Sequence, residues 1–98
     1  MPPADPVELR LDMFLWCARF IPDRAACARL VEGGAVRINR QPTGKPHARV
    51  RVGDVLTLRL RTGVRVIKVT ALSARRLSAP QARLLYEEIV EPALLHSA

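Results

Sequence analysis

The sequence predicts an α+β fold: two N-terminal helices packed on a small, mostly antiparallel curled sheet, with a further helix near the C-terminal end. Three observations predict it. Apolar residues recur at helical spacing from Leu11 to Ala18 and from Cys27 to Val31. After Gly33-Gly34 the apolar period becomes two. Past Ser78 a capping pattern announces a last helix.

The first helix is expected to start near Val7, with Asp5 or Pro6 at its boundary. Leu11, Phe14, Leu15 and Ala18 follow the i, i+3, i+4, i+7 template and form one apolar face, and Asp12, Trp16 and Arg19 lie off it. Pro22 is expected to end the helix, because the residue before a proline avoids the helical region. Asp23 is then placed to cap the second helix, which buries Cys27, Leu30 and Val31 and stops at Gly33-Gly34.

Ala35 to Asn39 reads as a short strand with Val36 and Ile38 on one face. Gln41 to Arg49 reads as a polar loop, and Val50 and Val52 lead to a turn at Gly53-Asp54. Val55 to Leu60 alternates, with Leu56, Leu58 and Leu60 inward and Thr57 and Arg59 outward. Arg61-Thr62-Gly63 turns the chain into a partner strand from Val64 to Leu72. The last helix is expected over residues 79–89, with Ser78 as cap, Gln81 three residues on, Pro80 in the first turn and Pro92 as terminator. The expected organisation is a flexible segment 1–8, a domain over 9–72, a turn and helix over 73–92 that pack on it, and a frayed tail 93–98.

Charge gives the first functional constraint. All sixteen Lys and Arg lie between Arg10 and Arg83, where only Asp12, Asp23, Glu32 and Asp54 oppose them, so this segment carries +12 in a chain of net +7. Such a field on so small a body attracts polyanions. No apolar run approaches the roughly 20 residues of a membrane span, and the opening MPPADPVE lacks the features of a secretion signal, so a cytoplasmic protein is expected.

Arg19, Arg24 and Arg29 rise from the helix surfaces and are the first candidates for phosphate contact; Arg24 also stands at a helix N-terminus. Arg10 joins them with Asp12 and Glu8 close by, and Lys45 and Arg49, with His47, occupy the loop. Arg37, Arg40, Arg51 and Arg59 extend the patch only if the strand register turns them toward it. Asp12 has no partner carboxylate or nucleophile and is expected to pair with Arg24 or Arg19, not to catalyse. Trp16 and Phe20 either stack bases or pack beneath the C-terminal helix, with packing favoured; Leu84, Leu85 and Tyr86 read as packing residues. Cys17 and Cys27 match no metal or redox spacing and read as buried small apolar residues without a disulfide. His47 and His96 are isolated, so neither a metal nor a cofactor is expected.

Several of these residues occur together in a known order. Arg10-Leu11-Asp12, Ala18-Arg19, Arg24, Gly34, Val36 and Asn39, Lys45-Pro46 and Gly53-Asp54 resemble the RNA-binding domain first described in the small-subunit ribosomal protein S4, over residues 9–60. Leu15-Trp16, Arg75-Arg76 and the run Leu84 to Glu88 extend the resemblance to residues 9–89 and narrow it to the heat shock protein 15 family. That resemblance implies an RNA-binding, ribosome-associated protein without enzymatic activity, and a monomer is expected. Its partners would be ribosomal RNA and tRNA on the large subunit when translation has aborted, in the context of heat shock and stress. It adds Asn39 to Arg10, Arg19, Arg24, Arg29, Lys45 and Arg49 as RNA-binding positions. Two other roles share the domain type or the charge: a stand-alone targeting module for a partner RNA-modifying enzyme, and a non-specific nucleic-acid binder that also takes DNA.

This sequence departs from the family pattern in three places. Asp23 replaces the usual Thr or Ser, and Arg40 replaces the Gly that usually follows Asn39, so a simple Asn-Gly turn is not expected. Longer members continue with a basic C-terminal tail, which this sequence lacks; that departure bears on any ribosome contact made by the tail and leaves the helix-pair surface untouched.

Overall fold

Residues 6–89 are described by a computed structural model, and within them helices give way to strands at Gly34, where the apolar period changes. The order is β1 (Glu8–Arg10), α1 (Leu11–Cys17), α2 (Arg24–Glu32), β2 (Val36–Ile38), β3 (Gln41–Thr43), β4 (Arg49–Arg51), β5 (Val55–Leu60), β6 (Gly63–Val69), α3 (Ala79–Ala82), a 3-10 turn (Arg83–Leu85) and β7 (Tyr86–Glu88). The α+β class holds, and every strand pair is antiparallel. The strands divide into a β1–β4 ribbon and a five-stranded sheet ordered β3-β2-β5-β6-β7.

The first helix differs from expectation at both ends. It begins at Leu11, not near Val7, because residues 8–10 pair with β4, Leu9 opposite Val50. The helix amides of Leu11 and Asp12 donate to the Ala48 and Pro46 carbonyls at 2.8 and 3.1 Å, so a distant loop satisfies donors left open by a helix start. The helix ends at Cys17, well before Pro22. There the Phe20 amide donates to the Leu15 carbonyl and the Arg19 amide to the Trp16 carbonyl, with Arg19 in the left-handed region at φ 62°. This is a Schellman stop with arginine where glycine is usual. Helix α2 ends in the same motif with the usual residue: Gly34 has φ 80°, and the Ala35 and Gly34 amides reach the Leu30 and Val31 carbonyls. Its start is as expected, with the Asp23 carboxylate accepting the Ala25 amide at 2.9 Å.

The expected loop over Gln41–Arg49 contains more order. Gln41–Thr43 adds to the edge of the sheet against β2, where Pro42 sits without a ladder donor to lose, and Arg49 opens β4. The turn between β2 and β3 consists of Asn39 and Arg40, at φ 50° and φ 73°. These are the signs of a type I′ turn, so the absence of glycine does not change the turn but strains it.

The C-terminal helix expected over residues 79–89 is only one turn, α3, followed by the 3-10 turn. Ser78 has the extended backbone of a cap, and its hydroxyl bonds the Gln81 side chain at 3.2 Å, not a helix amide. Tyr86 then turns to extended backbone, and β7 takes the open edge of β6 with Tyr86 opposite Val69. Sheet pairing with an edge strand outweighs the weak helix preference of this segment. Pro92, His96 and the tail 93–98 lie outside the described residues, as do residues 1–5.

One core joins the layers. Leu11, Phe14, Leu15 and Cys17 from α1 and Cys27 and Val31 from α2 pack with Val36, Val50, Leu56, Leu58, Ile67 and Val69, all fully buried. Cys17 and Cys27 are free thiols in this core, as expected. Burial pushes the Cys27 thiol up to about 11, helped by the negative charges of Asp12 and Asp23. Burial likewise raises Cys17, with Arg24 and Arg76 opposing the shift. Both thiols are therefore neutral packing groups at physiological pH.

Candidate nucleic-acid interface

The best-defined cationic group surrounds the start of α1. Asp12 is 3% exposed, and its carboxylate accepts Nε and Nη2 of Arg10 at 3.1 and 3.0 Å and the Met13 amide at 2.8 Å. Asp12 thus pairs with Arg10, not with Arg24 or Arg19 as expected. The Arg10 side chain remains 44% exposed, so a buried carboxylate grips one edge of a guanidinium while the rest faces water. This is a fork aimed by its neighbour.

Arg49 lies directly across the ribbon from Arg10, and Arg51 lies across from Glu8. Opposed side chains in such a pair are about 5 Å apart at Cβ. Glu8 bonds Arg51 at 3.1 Å and reaches Arg49 only at 3.8 Å, so one exposed carboxylate partly offsets two exposed arginines. Lys45 stands in the segment whose Pro46 and Ala48 carbonyls cap α1; its amide donates to Thr43 Oγ1 at 3.2 Å and its carbonyl accepts the Ala48 amide at 3.0 Å. The segment therefore has fixed anchors and an exposed Lys45 and His47. Arg10, Lys45, Arg49 and Arg51 form a cationic rim where β1, β4 and the start of α1 meet. Arg51 belongs to this rim through its register with Glu8; the Arg-Val-Arg alternation at residues 49–51 was its only sequence signal.

The other expected positions separate. Arg19 donates to the Leu77 carbonyl at 2.7 Å, while Arg76 donates to the Trp16 carbonyl at 3.3 Å and lies over the Trp16 ring at 5.4 Å. These two arginines clamp the C-terminal segment to the end of α1. Arg24 and Arg29 are both exposed on α2, but five residues place them roughly 140° apart around the helix. Arg29 borders an apolar groove of Phe20, Ile21, Ala26 and Leu30 with Leu60 and Arg61. Asn39 is framework: its amide donates to Asp54 at 3.0 Å and accepts the Val55 amide at 2.9 Å, bolting the β2–β3 turn to the Gly53-Asp54 turn. Among the described residues Arg24, Arg29 and Lys45 have no ion-pair partner.

Phe20 and Trp16 pack, as the favoured alternative had it. Phe20 lies 4.6 Å from the Tyr86 ring, centroid to centroid, with the Arg65 guanidinium over both, and Arg65 is paired with Glu88. The element covering Phe20 is β7, not a helix, and Trp16 is covered by Arg76. Among the described residues no group of acidic, His and Cys side chains could hold a metal ion, and no helix is long and apolar enough to cross a membrane.

The sequence pattern of the S4 domain matches residues 9–56. Heat shock protein 15 of Escherichia coli K12 is 44% identical over 85 residues, which are 87% of this chain and 63% of that protein. The small ribosomal subunit protein uS4 of Erythrobacter litoralis is 42% identical over 52 residues, 53% of this chain and 26% of that one. The structure of Vibrio cholerae heat shock protein 15, described as trimeric, superposes with a TM-score of 0.78 at 40% identity, covering 84% of this chain and 82% of that one. The chain thus spans about 63% of the Escherichia coli relative's length.

Proposed function

The chain belongs to the heat shock protein 15 family of S4-domain proteins, and from this we propose that it is a non-catalytic, cytoplasmic RNA-binding protein that docks on structured ribosomal RNA and tRNA. The destination is the large ribosomal subunit, in the rescue of stalled translation under stress. The domain responsible spans residues 9–72. The observation that carries this reading is the rim at the start of α1, where buried Asp12 aims Arg10 beside Arg49 and the anchored Lys45.

The mode is phosphate and shape recognition. An RNA helix hides its base edges in a deep, narrow major groove, so its backbone is what a rigid convex protein meets. Arginine forks held in place lose little entropy on meeting phosphate oxygens. Arg24 and Arg29 extend contact along α2, while Asn39 and Arg19 act by holding the surface in shape. If about five phosphates are neutralised, log K falls with log salt at a slope of roughly −3.5 to −4.5.

Co-sedimentation with separated ribosomal subunits, in competition with tRNA and duplex DNA at about 150 mM salt, tests the reading. Large subunits should retain the protein against both competitors, and Lys45→Glu with Arg49→Glu should release it without lowering the melting temperature. Equal competition by duplex DNA would reduce the function to non-specific charge. The same preparations test the monomer expected from the sequence: light scattering should give the 10.9 kDa chain mass, and three times that mass would replace it with the trimer described for the Vibrio cholerae relative.

A further inference from the structure

The face of the five-stranded sheet turned away from the helices carries charge that the rim does not use. The register sets its membership. Leu56, Leu58 and Ile67 point into the core, so Thr57 and Arg59 of β5, Val64, Val66 and Lys68 of β6 and Arg37 of β2 point outward. Arg37 is directly opposite Thr57, and Arg59 is two residues along from Thr57, which makes Arg37 and Arg59 diagonal neighbours about 7–8 Å apart. Both are exposed, and neither has an ion-pair partner among the described residues. The acidic residue of this face is Glu87, opposite Lys68 and away from the arginine pair.

Shape adds to charge beside Arg59. A groove of about 480 Å³ runs past it, lined by Gly33, Gly34, Gly63 and Val64. Gly34 and Gly63 have φ of 80° and 131°, and a Cβ at either would meet nothing within 4 Å, so the trough is open and part of its wall is glycine backbone, beside Arg59, Leu60 and Val64. Among the described residues this face bears no aromatic side chain on which a base could stack, while Val64 is 63% exposed. Exposed cations, an open trough lined in part by glycine backbone and no stacking platform suit a sugar–phosphate backbone better than splayed bases.

We propose that the outer sheet face, through Arg37, Arg59 and Lys68, is a second RNA-backbone surface, so that one chain bridges two RNA segments, one on the rim at α1 and one across the sheet. The inference rests on the RNA-binding reading above and extends it from one contact to two. The rim stands on the β1–β4 ribbon and the start of α1, outside the five-stranded sheet that carries the second surface, so the proposal assigns each surface its own hairpin.

Short RNA hairpins labelled separately with donor and acceptor dyes test it, with hairpins bound per chain counted by sedimentation velocity. Wild type should take two hairpins per chain and give protein-dependent energy transfer. Arg37→Gln with Arg59→Gln should reduce this to one hairpin and abolish the transfer, leaving the melting temperature unchanged. On a longer RNA that spans both surfaces, the same variant should lower the salt slope by roughly 1.4–1.8, the share of two phosphates. One hairpin per wild-type chain, or two per chain in the variant as well, overturns the proposal. Loss of self-association in the variant, with hairpin number unchanged, overturns it in favour of an interface between copies. Failure of wild type to bind any hairpin would instead refute the RNA-binding reading itself.

Discussion

Asp12→Asn separates fixed-fork recognition from attraction by bulk charge, because the two predict opposite signs. The carboxylate accepts two bonds from Arg10 and one from the Met13 amide. An asparagine has one acceptor oxygen, which keeps Met13, and an NH₂ group that faces the Arg10 donors. One charge-assisted bond is lost and the other weakened. With the Arg10 side chain 44% exposed, solvent screening holds the cost to about 1–2 kcal/mol. For a domain of this size that lowers the melting temperature by roughly 5–15 °C. The variant is also more positive by one charge, so attraction by net charge alone would tighten RNA binding. Aimed-fork recognition predicts weaker binding, by about tenfold for one phosphate bond of about 1.4 kcal/mol, and a salt slope smaller by roughly 0.7–0.9. Fluorescence anisotropy against a ribosomal RNA fragment across a salt series, below the melting transition, reads both. Arg10→Gln should give a similar loss, and the double variant little more, because the two residues act as one unit. Equal or tighter binding by folded Asp12→Asn at every salt concentration would refute the reasoning.

Three further outcomes follow from the same structure. Asn39→Ala removes two side-chain hydrogen bonds at a residue with φ 50°, and chemical denaturation should show a loss of about 2–3 kcal/mol while the RNA salt slope stays at its wild-type value. Arg40→Gly relieves left-handed strain at φ 73°; set against the greater freedom of glycine in the unfolded chain, a gain of about 0.5–1 kcal/mol is expected in the same assay. Cys27 is neutral in the fold with its pKa raised from 9.0 to about 11, so stability is fully present below pH 9 and falls between pH 9 and 11 as the unfolded thiol ionises, by up to about 3 kcal/mol. Urea titrations over that range should show the fall, and Cys27→Ala should remove most of it.

Local signals explain which parts of this fold can be read from residues. The second helix is legible at both ends, because Asp23 and Gly34 act within their own turn. The first helix is not, since its start depends on carbonyls 35 or so residues away at Pro46 and Ala48, and its stop places Arg19 where glycine is the usual marker. Tyr86–Glu88 has helical company in sequence but an open strand edge in space. The functional surface divides in the same way. That Arg10, Lys45 and Arg49 are exposed cations follows from their surroundings in the chain, but their meeting at one rim depends on the pairing of β1 with β4. Arg19 offers a free guanidinium in sequence and spends it on the Leu77 carbonyl, a contact across 58 positions that no local pattern announces.

In the proposed function, aimed cations at the start of α1 carry the RNA affinity. The salt dependence of binding to ribosomal RNA tests it most directly, measured for wild type and for Arg10→Gln, Lys45→Gln and Arg49→Gln combined. Wild type should show a slope of roughly −3.5 to −4.5, and the triple variant should be shallower by about 2–2.7, the share of three phosphates. A slope near zero in wild type, or one that the triple variant leaves unchanged, would contradict it.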